Sequence, residues 1–188
     1  MKPNRSARRP ARGSRPSGLR ILCAAALLSA LSIVLGKYLA INITDSIRLS
    51  FENLTILMAG IFFGPLVGAA VGAAADLLGC MLVGYAINPI ITVGAALVGI
   101  LSGLVSLPFK REGRPISPVG VFLSVYTAHI VGSMAVKSLG LWVYYATPLP
   151  VLLIRIPVYL IVAALEGTVI CLLARNRPFT GELNHLKR

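Results

Sequence analysis

Four basic residues, Lys37, Arg48, Lys137 and Arg155, stand apart from the rest of the positive charge in this 188-residue chain. The other Lys and Arg residues fall into three basic segments, Lys2 to Arg20, Lys110 to Arg114 and Arg175 to Arg188. Each isolated cation lies at or near one end of an apolar segment. A single Lys or Arg in such a place ordinarily snorkels to the membrane interface, whereas several converging on one mouth of a helix bundle can hold an anionic solute. Asp45 and Glu52 lie at the same level, so internal ion pairs compete for those cations. Tyr38, Phe51, Tyr85 and the run Trp142-Val143-Tyr144-Tyr145 fall at corresponding depths. They read either as an interfacial aromatic belt or as ring faces suited to a flat, partly aromatic, negatively charged molecule. Asn53 and Asn88 add amides that could read ring edges.

Positioning these groups requires membrane helices. The chain is 56% hydrophobic and 13% charged, with a mean hydropathy of +0.83, which is too apolar for an ordinary soluble domain. Its net charge of +12 flanks hydrophobic runs instead of covering a folded surface, which argues against nucleic acid as a partner. A bilayer span takes about 20 apolar residues, and six such segments are expected near 19–39, 50–64, 65–84, 89–109, 118–140 and 149–174. The second and third are divided only by Gly64-Pro65, a helix stop followed by a proline suited to a first turn. The expected fold is an all-α membrane protein, a compact bundle of six transmembrane helices over 19–174. Residues 1–18 and 175–188 form basic tails, the first of them disordered. Both tails and the loop from Lys110 to Arg114 fall on one side, read as the cytoplasm of a cell-membrane protein in contact with lipid. The isolated cations then share the outer mouth.

Arg155 is flanked by apolar chain on both sides, which favours a functional role because intramembrane charge is costly. Asp76 sits midway along the third span and can be a proton-relay group, a ligand contact or a structural acceptor. Gly60, Gly64, Gly68 and Gly72 precede it at intervals of four, as close helix packing requires. His129 and Glu166 read as lone interior polar groups. In the first span Ala26 and Ala30 form a small-x-x-x-small pair that lets another helix approach, from this chain or a different one. Cys23, Cys80 and Cys171 lie in apolar runs without metal-ligand spacing.

No phosphate-cradling loop, nucleophile elbow or histidine pair at metal spacing is present, so neither catalysis nor a cofactor is expected. A transporter needs an energy source, and the chain has no nucleotide-binding domain of its own; it reads as a binding subunit that draws energy from others. The six short spans, the Ala26/Ala30 pair, the segment Arg48-Leu49-Ser50-Phe51-Glu52-Asn53, the run Ala59 to Pro65 and Asp76-Leu77-Leu78-Gly79 resemble the substrate-binding (S) components of energy-coupling factor vitamin transporters. Lys137-Ser138-Leu139-Gly140-Leu141-Trp142, Tyr145-Ala146-Thr147-Pro148 and Arg155-Ile156-Pro157 are similar to the folate-specific branch.

The resemblance implies a subunit that captures folate at its outer face, associates with a transmembrane coupling protein and two ABC-type ATPases, and reorients to release the vitamin inside. It implies that Arg48, Trp142, Tyr145 and Arg155 line the folate pocket and that Ala26 and Ala30 contact the coupling protein. Lys37, Asn53, Asp76 and Lys137 complete the expected substrate-binding set. Another vitamin, such as riboflavin, pantothenate or a queuosine precursor, is the alternative, followed by a small intramembrane enzyme.

Overall fold

The computed structural model describes residues 18–42, 48–110 and 116–176, with 178 and 180. Asp45, most of the internal basic loop and most of both expected basic tails lie outside the described residues.

Six helices account for nearly all of the described chain: α1 Gly18–Tyr38, α2 Glu52–Phe63, α3 Pro65–Val83, α4 Pro89–Phe109, α5 Pro118–Tyr145 and α6 Leu149–Arg175. All except α2 are long and apolar enough to cross a membrane. With 12 residues, α2 is about 18 Å long at 1.5 Å per residue, and it is buried along most of its length. Between α1 and α2 the strands β1 (Ile41–Asn42) and β2 (Arg48–Leu49) pair antiparallel, a short β element added to an otherwise helical fold.

Local sequence explains the helix ends. Pro65, Pro89 and Pro118 open α3, α4 and α5, where the missing N–H costs nothing. Asn88 caps α4 by accepting from the Ile90 and Ile91 amides, and Ser117 caps α5 by accepting from Gly120 N. The expected tight junction between α2 and α3 is a single residue, Gly64, at φ 107° and ψ 170°, a conformation that a Cβ would strain.

The bundle is held by close backbone contact at glycines. A Cβ on Gly68 would come within 2.6 Å of Gly99 O, and one on Gly99 would overlap the Gly68 backbone, so α3 and α4 touch main chain to main chain. Gly60 of α2 and Gly72 of α3 meet α4 in the same way. Around this seam Ile56, Leu57, Ile61, Val71, Val98, Val121, Val125 and Ile170 form the core. Outside it the helices present large apolar side chains such as Leu27, Leu66 and Leu172, as a lipid-facing surface does.

Three stretches wind more widely, with each N–H reaching the carbonyl five residues back: Val34–Tyr38, Ala59–Phe63 and His129–Val136. Such turns are uncommon and re-aim the side chains beyond them. One carries Lys37, and another ends immediately before Lys137.

Candidate functional site

The lysine at the centre of the site is Lys137, which points inward from α5 and is 5% exposed. Its Nζ donates to Glu52 Oε1 at 2.9 Å and to Asn53 Oδ1 at 3.1 Å, joining α5 to the start of α2. Asn53 Nδ2 donates onward to Ser133 Oγ at 3.3 Å. Glu52 is fixed from a third helix, because Ser32 Oγ of α1 donates to its carbonyl at 2.7 Å. Gly94 makes room for the lysine stem: a Cβ there would meet Lys137 Cγ at 2.7 Å. Gly79 does the same for Lys37, whose Cε would lie 3.0 Å away.

Lys37, Glu52, Asp76 and Lys137 line one narrow cleft with Ser32 and Ala95. Thr92 Oγ1 donates to Asp76 Oδ2 at 2.6 Å, so the carboxylate both ties α3 to α4 and borders the cleft. The glycine face that carries Gly68 and Gly72 presents Asp76 to the same neighbour, as the spacing predicts.

The state of the cations separates them chemically. The charge of Lys137 is offset by Glu52. Lys37 and Arg155 make no ion pair among the described residues; each lies over a tyrosine ring, Lys37 at 5.7 Å from the Tyr85 centroid and Arg155 at 5.2 Å from that of Tyr159. Arg155 also donates from Nη2 to Tyr159 Oη at 3.0 Å. It lies in the first half of α6 and does not line the cleft. Arg48 sits in β2 with its backbone opposite Asn42, leading into α2.

The remaining expected contacts are distributed around this centre. Trp142 and Tyr145 occupy the end of α5, 59% and 51% exposed, with Tyr145 Oη donating to Ala86 O at 3.4 Å. The Asn53 amide is engaged by Lys137 and Ser133, and Asn88 Nδ2 donates to Gly140 O at 3.0 Å. Thus Lys37, Asn53, Asp76 and Lys137 meet in and beside one cleft, while Trp142, Tyr145 and Arg155 do not line it.

Sequence reasoning missed Thr92, Ser133 and Tyr159. The last had a signal: it follows Arg155 by four residues, one turn along the same helix face. His129 and Glu166, each expected to be a satisfied interior polar residue on its own, partner each other, since Nε2 and Oε2 lie 2.6 Å apart in the core.

Away from the cleft, Ala26 and Ala30 are both exposed on α1. This helix has the least buried span of the five long ones, 17%. The pair therefore does not pack inside the chain and remains open to a partner helix.

Residues 20–174 match the family described as "ECF transporter, substrate-specific component". The chain is 27% identical over 144 residues to the folate transporter FolT of Clostridium novyi (strain NT), covering 73% of this chain and 81% of that protein. Its fold is similar to a crystal structure of FolT bound with folic acid, at a TM-score of 0.67 and 22% identity, covering 84% of this chain and 95% of the other. It is also similar to a structure of the S component of a bacterial ECF transporter, at a TM-score of 0.64 and 21% identity, covering 91% and 99%.

Proposed function

The chain belongs to the family of substrate-specific components of ECF transporters, multi-pass membrane proteins of transport and not enzymes, and from that premise we propose that its vitamin is folate. The observation that carries the reading is the pairing of the cations. Lys137 is neutralised by Glu52, whereas Lys37 and Arg155 rest on tyrosine rings and make no ion pair among the described residues. Folate brings two carboxylates for such groups and a flat pterin for aromatic faces, of which Trp142 and Tyr145 stand at the same end of the bundle. The resemblance to FolT of Clostridium novyi supports the same vitamin.

In this reading Lys37, Arg48 and Arg155 attract and hold the glutamate moiety, Trp142 and Tyr145 flank the ring system, and Asp76 and Asn53 offer polar contacts at the cleft. Lys137 sets the floor of the site through Glu52 and Asn53. The cleft faces outward and both termini face the cytoplasm, a sidedness supported by the basic segments at the opposite ends of the spans. Ala26 and Ala30 receive the transmembrane coupling protein, which in turn carries two ATPases. The 1–18 and 175–188 tails act as topology signals.

Mass spectrometry of small molecules retained by the detergent-purified protein tests the choice of vitamin. Folate or a reduced folate is expected. A retained flavin or pantothenate, with no folate, would assign the chain to another vitamin of the same transporter class.

A further inference from the structure

Three polar residues with no part in the reading above, Glu166, His129 and Tyr159, form a line that leads to Arg155. His129 and Glu166, both fully buried, join α5 to α6 through a contact of 2.6 Å between Nε2 and Oε2. The His129 ring faces that of Tyr159, with centroids 5.8 Å apart and 43° between their planes. Tyr159 in turn accepts the hydrogen bond from Arg155 Nη2 at 3.0 Å and lies under the guanidinium. Among the described residues three buried side-chain polar atoms lack a hydrogen-bond partner: His129 Nδ1, Arg155 Nε and Glu166 Oε1. All three belong to this one line.

A buried acid–base pair adds little stability over apolar packing of the same volume, and its known use is to fix a unique arrangement of the helices that carry it. Here the arrangement ends at an arginine. A free Arg side chain gives up considerable rotamer freedom when it grips a carboxylate, and a protein contact that holds it beforehand removes part of that loss. Tyr159 is placed to do this, one helical turn from Arg155, with its hydroxyl on Nη2 and its ring against the guanidinium face. Nη2 uses one of its two N–H groups on Tyr159, so the other remains, with those of Nη1, to donate to a ligand, while Nε is buried. The tyrosine ring is itself confined by His129, and His129 by Glu166.

We propose that Tyr159 is a positioning residue that orients the Arg155 guanidinium before ligand arrives, with the His129–Glu166 pair as its anchor in the bundle core. The ligand part of this inference rests on Arg155 binding a folate carboxylate; the orientation of Arg155 does not.

Two measurements separate those parts. The first needs no ligand: purified protein in detergent is treated with phenylglyoxal, and modification of the peptide carrying Arg155 is followed by mass spectrometry. Tyr159→Phe keeps the ring and removes the hydroxyl, and it is expected to speed modification of Arg155 about fivefold, the factor set by loss of one ordinary hydrogen bond. Glu166→Leu, which removes the anchor, is expected to speed it in the same direction. An unchanged rate in Tyr159→Phe overturns the proposal, and an unchanged rate in a folded Glu166→Leu overturns the anchoring role. The second measurement is a double-mutant cycle on folate affinity. Tyr159→Phe should weaken binding about fivefold in the otherwise native protein and have no effect in the Arg155→Ala background. Equal losses in both backgrounds would give Tyr159 a role independent of Arg155 and contradict the inference. A native protein that binds no folate would sink the vitamin assignment, while the modification rates would still decide the positioning role.

Discussion

Arg155 is the residue on which the ligand reading depends most. Removing a charge-assisted hydrogen bond to a carboxylate costs about 1.5–3 kcal/mol, so Arg155→Ala should weaken folate binding by roughly ten- to a hundredfold in a calorimetric titration. Arg155→Lys should recover only part of the loss, because an ammonium reproduces neither the fork nor the stacking on Tyr159. Lys137 should behave differently, since its charge is committed to Glu52. Lys137→Met removes the ammonium from its contact with that carboxylate near the base of the cleft, which costs about 3 kcal/mol of stability, the low end for a buried pair because Glu52 is 28% exposed. The change should lower the thermal midpoint, and adding Glu52→Gln should restore part of it; a single variant as stable as the native protein would show that the pair does not hold α2 to α5. That Lys37 and Arg155 differ in this way from Lys137 was not legible in the sequence, where all were isolated cations at helix ends. The contact of Lys137 with Glu52 spans 85 residues of chain, and helix packing sets it.

At the scale of elements, the proposal gives α1 the coupling surface, while the glycine seam packs the bundle. Ala26→Trp or Ala30→Trp should abolish co-purification of a coupling subunit and vitamin uptake while leaving folate affinity nearly unchanged, because both positions are exposed on α1 and neither lines the cleft. Loss of affinity along with uptake would mean that the face serves the chain's own packing. Apolar run length and the Gly64-Pro65 break were enough to find six helices in the sequence, and the glycine spacing located the α3 face that meets α4. The sequence did not show where α5 ends. Lys137 marks a drop in hydropathy that reads as the close of a span near residue 140, yet the helix continues to Tyr145 because Glu52 and Asn53 of another helix satisfy that lysine. Nor did the apolar pattern reveal the wide turns at Val34–Tyr38 and His129–Val136, because the period of apolar residues does not distinguish a wide turn from an ordinary helical one over so few residues.

For the molecule as a whole, a binding site without a nucleotide site can fill but cannot move solute uphill. The purified chain in liposomes should therefore bind folate yet fail to concentrate it, and uptake should appear only with the coupling protein, the ATPases and ATP. Concentrative uptake driven by an ion gradient alone would make the chain a secondary carrier, with Asp76 the leading candidate for its coupling proton. The central claim is that this chain by itself recognises folate at the end of the bundle where Lys37 and Arg155 lie. Calorimetric titration of the isolated, detergent-solubilised protein with folate, and in parallel with riboflavin and pantothenate, tests it most directly. Saturable binding of folate at one site per chain, weakened by raised salt and by Arg155→Ala, is the predicted result; binding of riboflavin or pantothenate with no heat for folate would contradict it.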